Sequence, residues 1–197
     1  VRPAPGSLEW WLARLGKRLD ERQVPMSRFE DYYAGRQPLA FVSDTFRAAF
    51  GDRFREFSAN FMALVVDSHR QRLKVQGIRI GDEREGAVDA WDWWQANRLD
   101  GEAPKAITES LVKGISYMLV WPNADDEPEV SVETPLQVVV ETEPGKSWKR
   151  RAGLKRWLDD DGRYRAELYL PSGIYRFRSA QKAEWFSVPA WASVAQW

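Results

Sequence analysis

Two hydrophobic periods divide the chain near residue 115. Before that point apolar residues recur at helical spacing, as in the stripe of Leu8, Trp11, Leu12, Leu15 and Leu19. From Ser116 onward apolar and polar positions alternate as they do in strands. Because glycine accepts the backbone angles that end a helix, Gly114 is predicted to mark the junction between the two parts.

The N-terminal part is predicted to be helical. Ser7 is placed to cap the first helix, and Ser27 with Glu30 fits a capping box that opens a second, short helix closed by Gly35. The remaining helical predictions are a turn at 45–50 and helices at about 53–73, 87–96 and 102–113. A short strand is predicted at 75–80.

The C-terminal part is predicted to be an antiparallel meander. Its strand candidates are 116–121, 129–133, 136–141, 152–158, 164–170 and 174–178. Asp161-Gly162 and Ser172-Gly173 are hairpin signals. Helices followed by strands indicate the α+β class. The predicted domains are an N-terminal helical arm (1–26), a mainly helical part (27–115) and a β part (116–197).

Composition limits the possible functions. The 197 residues contain 29 basic and 29 acidic side chains, and a protein that grips nucleic acid usually has a basic excess. There is no cysteine, so neither a disulfide framework nor a thiolate metal site is predicted. No apolar run approaches the roughly 18 residues of a membrane span, and no secretory signal is recognisable.

Candidate chemical groups do not form a catalytic pattern. His69 is the single histidine, and Asp67 lies two positions before it, where a helix points the two side chains apart. The acidic residues of 125–129 lack the ligand spacing of a calcium loop, which favours a solvated turn over a cation site. No enzyme, cofactor or metal is therefore predicted.

Two tryptophan-containing segments are candidate interaction sites. Adjacent Trp10 and Trp11, with Leu15, widen the apolar stripe of the first helix beyond one core contact, which indicates a subunit or capsid interface; a Trp-rich core is the alternative. A second segment combines a possible stacking ring with basic residues, namely Lys146, Trp148, Lys149, Arg150 and Arg151. It is predicted to be an exposed loop between strands, with nucleic-acid contact as the less favoured interpretation.

Four short motifs follow one another within a stretch, roughly 28–178, that makes up most of the chain. They are Tyr32-Tyr33-Ala34-Gly35; Asn60 followed by Val66-Asp67; Gly114-x-Ser116-Tyr117; and Pro135 before the β-branched Val138–Val140. In this order and spacing the chain resembles the wing region of tailed-bacteriophage portal proteins. The fold that the resemblance implies is a portal wing, with helices first and an antiparallel β part after them.

The resemblance implies a structural role and not an enzymatic one. Portal proteins form rings, dodecameric in the family, that conduct double-stranded DNA during packaging and ejection. It also implies contacts with the major capsid protein, the terminase and the head-tail adaptor, no membrane, a place at the virion's portal vertex, and assembly in the host cytoplasm. The alternative is a monomeric module that binds a small molecule or peptide through exposed tryptophans.

The chain is expected to be a fragment of a portal subunit. It begins with Val1 and ends on an apolar stretch at Trp197. The stem helices, the clip and the tunnel loop of a portal subunit are not recognisable in it.

Overall fold

The computed structural model describes residues 3–36, 60–79, 81, 88–182 and 191–196. Its helices are α1 (Leu8–Tyr33), α2 (Phe61–Arg70), α3 (Val88–Ala96) and α4 (Leu99–Lys113). Its strands are β1 (Tyr117–Pro122), β2 (Pro128–Glu133), β3 (Val138–Glu143), β4 (Lys146–Leu158), β5 (Tyr164–Leu170), β6 (Gly173–Ser179) and β7 (Trp191–Gln196). Helices precede antiparallel strands, which confirms the predicted α+β class.

The chain divides into two compact units. The sheet unit consists of Val1–Val24 and Pro135–Trp197, and the helical unit consists of Pro25–Thr134. This division does not follow the predicted boundaries after residues 26 and 115. The start of α1 belongs with β3 to β7, whereas β1 and β2 belong with the helices.

In the sheet unit, β3 to β7 form a five-stranded antiparallel sheet in chain order. The predicted stripe of α1 packs against it, and Leu12, Leu15 and Leu19 are buried. The strands contribute the other half of the core, which consists of Val139, Ala152, Leu154, Ala166, Leu168 and Phe177. The predicted meander is therefore confirmed from β3 onward, whereas β1 and β2 form a separate two-stranded sheet. The strand β4 begins six residues earlier than predicted, and β7 was not predicted.

Both ends of α1 follow the predicted signals. The Ser7 hydroxyl accepts a hydrogen bond from the backbone N–H of Trp10 at 3.2 Å. At the other end Gly35 has a φ of 72° and donates its N–H to the carbonyl of Tyr32 at 3.2 Å. A positive φ is unfavourable for residues with a Cβ, so glycine suits this position.

The prediction of a separate helix starting at Ser27 was wrong, because α1 continues through Pro25. Proline removes a backbone hydrogen bond and usually interrupts a helix. Here contacts on both sides of it stabilise the helical path. Gln23 donates to the carbonyl of Leu136 at 2.6 Å in the sheet unit, and Met26 is buried in the helical unit.

The helical unit contains α2, α3, α4 and the two-stranded ribbon β1–β2. Gly114 ends α4 with a φ of 79°, and its N–H reaches the carbonyl of Ser110 at 2.9 Å, which confirms the predicted junction. The predicted strand at 75–80 was wrong over 75–79, and residue 80 lies outside the described residues. Of the predicted helices, the turn at 45–50 and residues 53–59 also lie outside them.

None of the described helices combines the length and the apolar character that crossing a membrane requires.

A buried lysine connects three segments of the helical unit. The Lys113 ammonium donates to both carboxylate oxygens of Glu109, at 2.9 and 2.8 Å, and lies 3.6 Å from Glu30 of α1. Glu109 also accepts a hydrogen bond from Thr134 at 2.9 Å, just after β2. Since a buried charge is costly without partners, these contacts fix the end of α4 against α1 and the ribbon.

Candidate interaction surfaces

The first two motifs of the portal resemblance meet where α1 ends and α2 begins. The Asn60 side chain donates to the carbonyl of Tyr33 at 2.6 Å, and its oxygen caps α2 by accepting from the N–H of Ala63 at 3.0 Å. A Cβ on Gly35 would lie 3.3 Å from the Asn60 amide nitrogen, so glycine also leaves space for this side chain. The motif residues therefore form one structural junction.

Asp67 belongs to the same junction and does not form a site with His69. Tyr33 donates its hydroxyl to Asp67 at 3.1 Å, and Arg70 contacts the same carboxylate oxygen at 3.3 Å. Burial, followed by this hydrogen bond, raises the pKa of Tyr33 above its ordinary value. The His69 ring instead lies 2.8 Å from the carbonyl of Val65 on an exposed part of α2.

The predicted interface residues of α1 lie in or beside the sheet core. Leu15 and Trp11 are buried, whereas Trp10 is partly buried and packs edge-on against Trp11 with ring centres 4.8 Å apart. Arg14 lies 5.2 Å above the Trp10 ring. The contact of these residues with a neighbouring subunit or the capsid stays a prediction, and Trp10 offers most of the remaining surface.

Glu141 of β3 anchors the polar side of α1. It accepts hydrogen bonds from Arg14 at 2.8 Å and from Arg18 at 3.0 Å while being almost fully buried. The hydrogen bond and charge of Arg14, supported by Arg18, hold the pKa of this carboxyl below its ordinary value despite burial. The ion pairs therefore fix the orientation of α1 on the sheet within this unit.

The predicted basic segment is exposed as expected, but the prediction that it is a loop was wrong. Lys146 to Arg151 form the first half of β4, directly after the turn that follows β3. Trp148 is 72% exposed, Lys149 pairs with Glu143 at 2.7 Å, and Arg151 lies 5.5 Å above the Trp11 ring. Long basic side chains tolerate strand positions when they point into solvent, which the composition of the segment did not reveal.

Comparison with known families now places this geometry. The family model described as phage portal protein, SPP1 Gp6-like, matches residues 17–192. The chain belongs to this family. The matched range contains all four motifs, most of both units and α1 from residue 17 onward, so membership rests on most of the chain and not on one segment.

Two relatives from mycobacteriophages give the same assignment. The portal protein of Mycobacterium phage D29 is 35% identical over 138 residues, which cover 64% of this chain and 28% of the relative. The portal protein of Mycobacterium phage L5 is 36% identical over the same length and the same shares. The chain thus matches about 28% of the length of either portal protein.

Three of the four acidic residues at 125–129 lie in the turn between β1 and β2, as predicted, whereas Glu129 belongs to β2. Asn123 closes it by accepting from the backbone N–H groups of Asp125 and Glu127, both at 2.9 Å, while Asp126 adopts a φ of 61°. The three carboxylates are exposed. Across the described ranges no three His, Asp or Glu side chains are placed to hold a metal ion.

A cavity of about 590 Å³ in the helical unit was not predicted. Its walls include the rings of Trp91 and Trp94, stacked with centres 6.0 Å apart. Trp94 and Gln95 each donate to Asp100 at 2.9 Å, which lowers the pKa of that carboxyl. The sequence signal was the cluster of tryptophans in α3, where Trp91 and Trp94 are three positions apart on one helix face, but the cavity itself depends on how α3 packs against α4.

Proposed function

We propose that this chain is the wing-like segment of a portal subunit in a phage or prophage. Its role is structural, as part of the ring that conducts DNA at the capsid vertex. The family match over residues 17–192 is the observation that carries the proposal. The relatives named portal protein support it. Because the chain matches about 28% of their length, it supplies one segment and not the whole conduit.

The role assigned to the segment is assembly through surfaces. Copies arranged around an axis contact one another through two different patches, since a heterologous contact that closes on itself generates a ring. The fixed α1–sheet and α4–α1 contacts support this role, because each unit keeps its own packing through buried ion pairs. A dodecamer is the ring size that we propose from the family resemblance.

The remaining partners belong to the same proposal. The ring contacts the major capsid protein, the terminase and the head-tail adaptor through the complete subunit, in the virion and during assembly in the host cytoplasm. No catalytic activity is assigned to this segment, and nothing in the comparisons supports a monomeric tryptophan-based binding module.

DNA is proposed to pass without being gripped by this segment. Equal numbers of acidic and basic residues imply few net phosphate contacts. We therefore expect no measurable duplex binding in fluorescence anisotropy at about physiological salt, where non-specific binders reach roughly 10⁻⁴ to 10⁻⁶ M. A dissociation constant within that range, falling steeply at low salt, would contradict free passage.

A chimera tests the structural role directly. In the portal protein of Mycobacterium phage L5, the region that corresponds to this chain is replaced by this sequence, and purified particles are imaged by negative-stain electron microscopy. Rings of the parental diameter are expected. The matched control carries Leu168→Asp, which places a charge in the sheet core and should abolish rings. A soluble, folded chimera that never forms rings would refute the proposal.

A further inference from the structure

Two surfaces among the described residues carry opposite charge. The first, here called the basic hairpin, is residues 143–151, which contain one carboxylate, Glu143, and four basic side chains, Lys146, Lys149, Arg150 and Arg151. The second, here called the acidic ribbon, is β1–β2 with its turn. Its 17 residues from Tyr117 to Glu133 contain five Asp or Glu residues and no Lys or Arg.

The basic hairpin projects a large aromatic side chain. Thr142 pairs with Arg150 and Glu143 with Lys146, so the register shifts across residues 147–149 and Trp148 lies in the irregular part. Such bulges redirect side chains away from the sheet. With 72% of its area exposed, Trp148 has the character of an interface anchor, because tryptophan is enriched among residues that dominate binding energy.

The acidic ribbon presents an apolar face beside its carboxylates. Met118 lies opposite Val132 and Val120 opposite Val130, so these four aliphatic side chains share one face, and both β1 members are exposed. A two-stranded ribbon is marginally stable without further packing. Within the unit, α4 packs against β2.

A cavity at the edge of the acidic ribbon offers space for a side chain of a docking partner. It has a volume of about 370 Å³, and its walls include Trp93, Val130, Glu127 and Glu129, with Arg98 as the one cation among them. Trp93 is 50% exposed. Asn97 also lines this cavity, and its side chain bonds the backbone of β2 at Pro128 and Val130 (2.8 and 2.7 Å), which occupies the polar groups of that strand edge.

We propose that the basic hairpin of one copy docks on the acidic ribbon of the next copy, with Trp148 seated in the cavity beside Trp93. The inference rests on the proposed ring, because one patch on each unit gives the heterologous contact that a ring requires. Asp125, Asp126 and Glu127 form no ion pair with any described residue, so they are available to meet Lys146, Lys149 and Arg150.

A second copy suits the basic hairpin better than DNA does. Glu143 pairs with Lys149 at 2.7 Å and with Lys146 at 3.5 Å, so part of the positive charge of the hairpin is already balanced and charge alone does not select the partner. The acidic ribbon, by contrast, offers complementary charge together with apolar surface for the indole. Complementary charges at an interface mainly set its orientation and its rate of association.

The absence of cysteine allows a clean disulfide test. One preparation of the full chain carries Ser147→Cys in the hairpin, and another carries Ala124→Cys in the ribbon turn, both at exposed positions. Mixed under mild oxidation, they should form the mixed dimer at least about tenfold faster than Ser147→Cys mixed with Ser110→Cys, because docking raises the effective concentration. Equal rates for the two mixtures would overturn the proposal.

Charge exchange decides whether the contact is the one proposed. Reversing the hairpin (K146E/K149E/R150E) or the ribbon (D125K/D126K/E127K) should remove the acceleration, and mixing the two reversed surfaces should restore it. Trp148→Ala should reduce it, whereas Leu158→Ala, at the exposed end of the same strand, should not. Failure of the exchange to restore the rate, or a hairpin reversal that changes only DNA binding, would refute the docking. If the charge exchange fails but the chimera still forms rings, the docking proposal is refuted and the proposed portal role is not. If the folded chimera forms no rings, the proposed portal role itself is refuted.

Discussion

Replacing Leu15 by alanine tests whether α1 is part of the sheet core or an arm that waits for a partner. The Leu15 side chain is completely buried among the α1 and sheet residues of the core. Leu→Ala changes at such sites remove apolar contacts and leave a cavity, which together cost about 3–4 kcal/mol. Since domains are stable by only about 5–15 kcal/mol, we expect a large loss in the sheet unit.

The assay is thermal and urea unfolding of the full chain, with hydrogen exchange at the amides of Leu154 and Leu168 as a report on the sheet unit. For a chain of this size, about 3–4 kcal/mol corresponds to a fall of roughly 6–16 °C in Tm. The amides should exchange faster in the variant because the sheet opens more often.

Val24→Ala is the matched control, because Val24 lies on the same helix and is 69% exposed. Its effect should stay within about 0.5 kcal/mol. If Leu15→Ala costs no more than this control, the packing of α1 on the sheet is wrong. Serine at both Trp10 and Trp11 should likewise destabilise the sheet unit, whereas Trp10→Ser alone should leave it folded and so isolate any assembly role.

Further substitutions test two buried polar contacts and one helix cap. Lys113→Met should lower the free energy of unfolding in urea by about 2–3 kcal/mol. This is less than the loss on breaking a fully buried ion pair, because Glu30 and Glu109 keep some solvent contact. Glu109→Gln in the same chain should restore part of the lost stability. Glu141→Gln should cost about 1–2 kcal/mol at neutral pH. Because the folded-state pKa of Glu141 is lowered, the stability difference between the wild type and Glu141→Gln should be complete above the ordinary carboxyl pKa. It should vanish as the pH falls through the lowered pKa of the folded state. A stability difference that grows on acidification would contradict this expectation. Gly114→Ala should cost about 1 kcal/mol through its left-handed backbone, and Gly114→Asn less; equal stability of all three forms would refute the cap.

Local rules predicted those elements whose causes are local. The hairpin glycine Gly162 (φ 72°) and the cap at Gly114 require backbone angles that few other residues adopt, so the sequence itself marks these positions. The alternation from Tyr164 to Leu170 predicted β5 to the residue, because one of its faces is buried. The stripe of α1 likewise predicted the buried leucines, though not the sheet that covers them.

Elements that depend on distant contacts were not predictable in the same way. Pro25 ends a helix by local rules, and α1 passes through it because Gln23 and Met26 gain partners from separate parts of the chain. The first half of β4 is too highly charged to be recognised as a strand, and it becomes one by pairing with β3. The basic hairpin and the cavity beside Trp93 are likewise products of folding.

The portal motifs are informative in combination because their residues depend on one another physically. Asn60 serves as cap for α2 and as donor to the end of α1, so it requires the close approach that Gly35 permits. The hydroxyl of Tyr33 in turn requires an acceptor on α2, which Asp67 supplies. Each residue alone occurs in many proteins, but a chain that places all four in this order specifies one junction between two helices. The order and spacing of the motifs therefore indicated the family because they encode a set of contacts, whereas the surfaces that assemble a ring had to be found in the folded chain.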